Sequence, residues 1–81
     1  MLSIKVKSVK PLPNMLLSVT FEENTIKTFD VKKLIGEYPD FEALENTDVF
    51  NLVQIVPGGY GVYWTEDLDC SEGELWEYGV V

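Results

Sequence analysis

The chain contains no histidine, no arginine and only one cysteine. Without histidine it lacks the usual general base at neutral pH and the usual nitrogen ligand for zinc or iron. Ser-His-Asp and Cys-His catalytic arrangements are therefore excluded. Without arginine there is no planar fork for bidentate readout of guanine or phosphate. The lone thiol, Cys70, cannot form an intramolecular disulfide. With Asp69 and Glu72 beside it and no cation nearby in sequence, it has no thiolate activator and reads as a small structural side chain. A secreted domain of this size normally carries several bridges or a metal. The N-terminus starts as an alternating strand with no leader pattern, and no long apolar run suggests a membrane span. The expectation is a soluble cytoplasmic protein that uses no cofactor, no metal and no membrane.

What remains is a composition fit to fold. Apolar residues make up 46% of the 81, and ten residues are aromatic, far richer than a disordered acidic segment. The length suits one domain spanning residues 1–81. The net charge of −8 is unevenly spread. Residues 1–36 carry all six lysines and three acids, a net of +3, whereas residues 37–81 carry eleven acids and no basic residue, a net of −11. Such a half serves solubility, and a field of one sign also speeds encounter with a partner of the opposite sign.

Along the chain, residues 2–9 alternate as a half-buried strand, with Ile4 and Val6 opposite Lys5 and Lys7, until Pro11 and Pro13 break it. A second strand over residues 15–21 places Met15, Leu17, Val19 and Phe21 on one face. Asn24 supplies the left-handed residue of a tight turn, and residues 25–30 form a third strand. Asp30 is positioned to cap a short helix at Val31–Ile35, ended by Gly36. Short turns follow at Phe41–Glu45, after the Asp40 cap, and around Phe50, with Thr47 or Asp48 as the start. Residues 52–56 and 60–64 form a hairpin about Pro57-Gly58-Gly59. Gly61 marks a bulge or a close backbone approach, and Trp64 points inward with Tyr63 at least partly outside. Ser71 and Glu74 have capping-box spacing for a helix over residues 72–78, with Leu75 and Trp76 against the sheet. The fold class is α+β: a three-stranded antiparallel meander plus a C-terminal hairpin with short helices, in the order β-β-β-α-β-β-α.

The chemistry-bearing patterns are weak. Glu66, Asp67, Asp69, Glu72 and Glu74 crowd into nine residues, but a chain this short has little room for a glycosidase cleft. Read as a calcium loop, Asp67, Asp69 and Ser71 occupy the first three ligand positions, yet Glu72 stands where glycine is required and Tyr78 where glutamate is required. Gly58-Gly59-Tyr60-Gly61 lacks the lysine and helix of a phosphate loop. The N-terminal lysines would be the footprint of nucleic-acid binding, on an otherwise acidic molecule. The reading that survives is a non-enzymatic protein-interaction module with a basic partner, using Tyr63, Glu66, Asp67, Asp69, Glu72 and Glu74. A nucleic-acid-associated regulator using the lysines and an architectural homodimer are the alternatives.

Leu16-Leu17-Ser18-Val19-Thr20-Phe21-Glu22, then Phe29-Asp30-Val31, Phe41–Leu44, Asp48-Val49-Phe50, Tyr63-Trp64, Asp67-Leu68-Asp69 and Leu75 together make a pattern over nearly the whole chain. It resembles a small bacterial family catalogued as domain of unknown function 2442. The resemblance implies an α+β fold and no established activity. Some members carry an appended helix-turn-helix; others are encoded beside a second small protein, in pairs resembling toxin–antitoxin modules. It implies no catalytic residue. Asp30, Trp64, Asp67 and Asp69 match its pattern, and each has a structural reading: Asp30 and Asp69 as caps or turn formers, Trp64 as core.

Overall fold

The computed structural model describes residues 4–81, so the first two positions of the strand expected over residues 2–9 lie outside the described residues. The first sheet is an antiparallel meander of β1 (Val6–Leu12), β2 (Leu16–Phe21) and β3 (Ile26–Asp30). Alternation in β2 buries Leu17, Val19 and Phe21 completely, because successive side chains of a strand face opposite ways. Asn24 takes the left-handed conformation at φ 70° between β2 and β3. Asn14 and Met15 do the same in the single 3₁₀ turn Pro13–Met15 between β1 and β2, which removes Met15 from the β2 face.

β1 does not stop at Pro11. It continues to Leu12, with Pro11 opposite Leu17. Leu17 spends its backbone groups on β3. Its odd-numbered neighbour Phe21 does likewise, donating to Thr25, while even-numbered Glu22 donates back to Lys5. Pro11 therefore stands at a non-hydrogen-bonded position, its nitrogen facing away from β2, where no N–H is missed. An irregularity between Val6 and Ser8 takes up Lys7 as the extra residue.

The Asp30 carboxylate accepts from the Lys32 N–H at 3.0 Å at the entrance to α1 (Lys32–Glu37). Gly36 lies inside α1. The helix ends one residue later, where Tyr38 is extended, as a residue before proline tends to be. A 3₁₀ helix, Pro39–Glu45, buries Phe41 and Leu44. The single turn α2 (Thr47–Phe50) is capped by Asn46, whose side chain accepts from the Asp48 N–H, and not by Thr47 or Asp48.

The C-terminal hairpin gains a third strand. β4 (Gln54–Ile55), β5 (Gly61–Thr65) and β6 (Leu68–Ser71) form a second antiparallel sheet. The α+β class and the order of elements are those the sequence implies, with β6 added where Asp69 reads as a cap or turn former. Asp69 is thus a strand residue opposite Tyr63, not a cap. Gly61 has a φ of 145°, and a Cβ there would run into the Cys70 carbonyl, so the close approach is real and only glycine fits it.

α3 (Glu72–Tyr78) is capped by Ser71, whose Oγ accepts from the Glu74 N–H at 3.2 Å. It ties the two sheets together. Leu75 is fully buried, and Trp76 meets Phe21 of β2 edge-on at 5.0 Å between ring centres. Beyond α3, Val80 exchanges two backbone hydrogen bonds with Thr28 and covers the outer edge of β3. Trp64 anchors the middle of the core: its ring stacks with Phe50, meets Phe41 edge-on, and its Nε1–H donates to the Phe50 carbonyl at 3.1 Å. The buried side chains of both sheets and the helices form one contiguous cluster. Among the described residues no helix is long and apolar enough to cross a membrane.

Candidate interaction groove

α1 and the Tyr38 corner on one side face β6 and α3 on the other across a groove. Its inner part, about 570 Å³, has Phe29 and Leu34 at its floor and Lys33, Glu37, Glu74 and Glu77 on its walls. Its outer part, about 340 Å³, runs along β6 past Asp69 and shares Leu34, Tyr38, Ser71 and Glu74 with the inner part. Two tyrosines stand at the rim with much of their surface in solvent, Tyr38 at 51% and Tyr78 at 56%.

Helical spacing explains the walls. Glu74, Glu77 and Tyr78 lie at i, i+3 and i+4 on α3 and therefore share a face. Lys33 and Glu37 lie at i and i+4 on α1. The groove thus holds four carboxylates, Glu37, Asp69, Glu74 and Glu77, against one ammonium, Lys33. None of the four is in an ion pair among the described residues, where the one such pair joins Lys32 to Asp30 at 3.0 Å.

Of the residues chosen from sequence, Asp69 and Glu74 line this groove. Glu66 and Asp67 are exposed at the β5–β6 turn, Glu72 is half-buried on the first turn of α3, and Tyr63 is half-buried on β5 with its hydroxyl donating to Gln54 at 3.3 Å. These four do not line the groove. Glu37, Tyr38 and Glu77 were absent from the sequence choice. The shared face of Glu74, Glu77 and Tyr78 was a readable signal; the approach of α1 to α3 was not. Among the described residues no three Cys, Asp or Glu side chains converge as a metal site.

Cys70 lies beneath the groove and is buried. Its Sγ–H donates to a Glu74 oxygen at 3.7 Å. Burial pushes the thiol pKa well above its ordinary value, and the Glu74 charge, the Glu74 hydrogen bond and the Asp69 charge push it further. Such a thiol is a poor nucleophile.

Four of the six lysines are engaged within the molecule. Lys7 donates to Asn24 and Lys32 to the Asn14 carbonyl. Lys27 donates to the Trp76 carbonyl and stands 4.0 Å above its ring centre. Lys5 stands 5.3 Å from the centre of the Tyr60 ring.

Residues 6–80 match the model of a protein family of unknown function, DUF2442, and the chain belongs to that family. No curated protein and no solved structure matches it.

Proposed function

We propose that this DUF2442 member is a non-enzymatic protein-interaction module that binds a basic partner in the bacterial cytoplasm, as the acidic half of a two-protein, toxin–antitoxin-like system. The observation that carries this reading is the groove between α1 and α3, where four carboxylates without ion-pair partners among the described residues meet two exposed tyrosines. Carboxylates offer acceptors to lysine and arginine, and tyrosine faces attract the same cations. Tyrosine is also enriched among the anchors of interfaces. The N-terminal lysines favour the alternative of nucleic-acid binding less, because Lys5, Lys7, Lys27 and Lys32 already have partners inside the molecule.

The test is a tagged pull-down from the native host at low and high salt, with the wild type and a Glu74→Lys, Glu77→Lys double variant. A stoichiometric basic protein is expected with the wild type at low salt. Charge reversal is expected to weaken its capture about tenfold or more, and high salt to weaken it further. Recovery only of partners indifferent to both changes would refute the proposal.

A further inference from the structure

A sheet edge with no strand paired to it among the described residues runs along the groove's outer part. The hydrogen-bond parity of the second sheet identifies its open groups. Glu72 donates to the Tyr60 carbonyl, and the register pairs Val62 with Cys70 and Tyr63 with Asp69. Hydrogen-bonded pairs alternate in an antiparallel ladder. The Val62–Cys70 pair is therefore the bonded one, and the backbone groups of Asp69 point away from β5. The Ser71 N–H points the same way. Among the described residues neither N–H has a backbone partner outside the sheet or a side-chain acceptor. Asp69 and Ser71 are exposed and line the groove facing Leu34, Tyr38 and Phe41.

The other edges are closed or blunted. Val80 covers β3. β1 gives its Val6 N–H to Gly59, and further along carries Pro11 and exposed lysines, which discourage pairing. β4 is only two residues long. Among the described residues the outer edge of β6 alone combines free backbone groups with a walled groove.

We propose that β6 takes up an extended lysine- or arginine-bearing segment of a partner protein as a fourth strand of the second sheet, held by the Asp69 N–H and C=O and the Ser71 N–H. The basic side chains facing the groove meet Asp69, Glu74 and Glu37, and the Tyr38 ring covers one of them. This is strand addition: backbone bonds hold the segment and alternate side chains give selectivity. It deepens the proposed function and rests on it for the sign of the partner's charge. A second copy of the chain is the wrong occupant, because two-fold pairing of β6 with itself would bring Asp69 and Glu74 towards their own copies. Like charges placed opposite each other oppose pairing.

The probe is a capped seven-residue peptide of alternating lysine and valine, its glutamate–valine counterpart, and two N-methylated forms of the lysine peptide. Each form is methylated on one alternate set of amides. Only one set faces β6, so one methylated form should lose about tenfold or more in affinity while the other keeps it. The Asp69 and Ser71 amides should gain protection from hydrogen exchange with the lysine peptide, and Cys70, already bonded to Val62, should not change. Equal binding of both methylated forms without protection at Asp69 would overturn strand addition and leave the charge-based function standing. Equal binding of the lysine and glutamate peptides would overturn both. No binding of the lysine peptide up to about 1 mM would overturn strand addition, and the pull-down then decides the function by itself.

Discussion

Replacing Trp64 by phenylalanine separates two contributions that one side chain makes to the core. The indole is 5% exposed. It packs on Phe41 and Phe50 and donates to the Phe50 carbonyl. Phenylalanine keeps a ring but loses the donor and part of the volume. A buried acceptor left without its donor costs about 1–3 kcal/mol. Here the low end applies, because the Phe50 carbonyl also accepts from the Val53 N–H at 3.4 Å. The missing ring atoms leave a small cavity and cost about 1–2 kcal/mol. The sum is about 2–3 kcal/mol. A domain of this length has a total stability of roughly 4–12 kcal/mol, so Tm should fall by roughly 10–20 °C. Trp64→Ala also removes both aromatic contacts and should cost about 3–5 kcal/mol. Urea and thermal unfolding followed by far-UV circular dichroism measures both variants. A loss below about 0.5 kcal/mol for Trp64→Phe, or equal losses for the two variants, would refute the placement of the indole and its hydrogen bond.

Gly61→Ala and Gly36→Ala should move stability in opposite directions. At Gly61 a side chain meets both a φ of 145° and the Cys70 carbonyl, whereas a Cβ at Gly36 meets nothing within 4 Å and sits in a helix. Urea midpoints should show a loss of about 2 kcal/mol or more for the first and a gain of about 0.5–1 kcal/mol for the second. Cys70 should resist alkylation in the native protein and react once the chain is unfolded. Its pKa is raised in the fold above an ordinary value of 9.0, so both states keep the proton below pH 9.0. Above that the unfolded chain ionises first and stability falls, with a slope approaching about 1.4 kcal/mol per pH unit. Cys70→Ala should lack that part of the slope in unfolding curves taken between pH 8 and pH 10, and identical slopes would contradict the raised pKa.

Local patterns carried most of the architecture because each fixes its own geometry. Alternation placed Leu17, Val19 and Phe21 inside, Asn24 supplied a left-handed turn, and Ser71 with Glu74 marked the start of α3. What sequence did not show depends on neighbours. Pro11 breaks a strand only if its nitrogen faces a partner, and in β1 it faces outward. β6 is four residues long and holds Asp69 beside the turn acids Glu66 and Asp67, a poor strand composition in isolation. It forms because Leu68 and Cys70 are buried while their backbone pairs with β5, an example of tertiary context outweighing propensity. The groove depends on neighbours even more. Periodicity puts Glu74, Glu77 and Tyr78 on one face of α3, but Glu37 and Tyr38 arrive there only through the packing of α1 and the proline that follows it.

The charge asymmetry along the chain becomes, in the fold, an asymmetry of engagement. Lys5, Lys7, Lys27 and Lys32 find carbonyls, an amide, a carboxylate and aromatic rings within the molecule. Among the described residues the groove carboxylates find no ion-pair partner. Gathering four of them against one lysine opposes the compact state through mutual repulsion, more strongly at low salt. A basic segment laid in the groove relieves that repulsion as well as making its own contacts. Binding should therefore both stabilise the fold and weaken with salt more steeply than a single ion pair allows, because several carboxylates respond to the same partner at once. A scatter of solvated acids serving only solubility has no such coupling between stability, salt and a ligand, which is why the salt dependence of stability in the presence of the lysine–valine peptide separates the two roles of the acidic half.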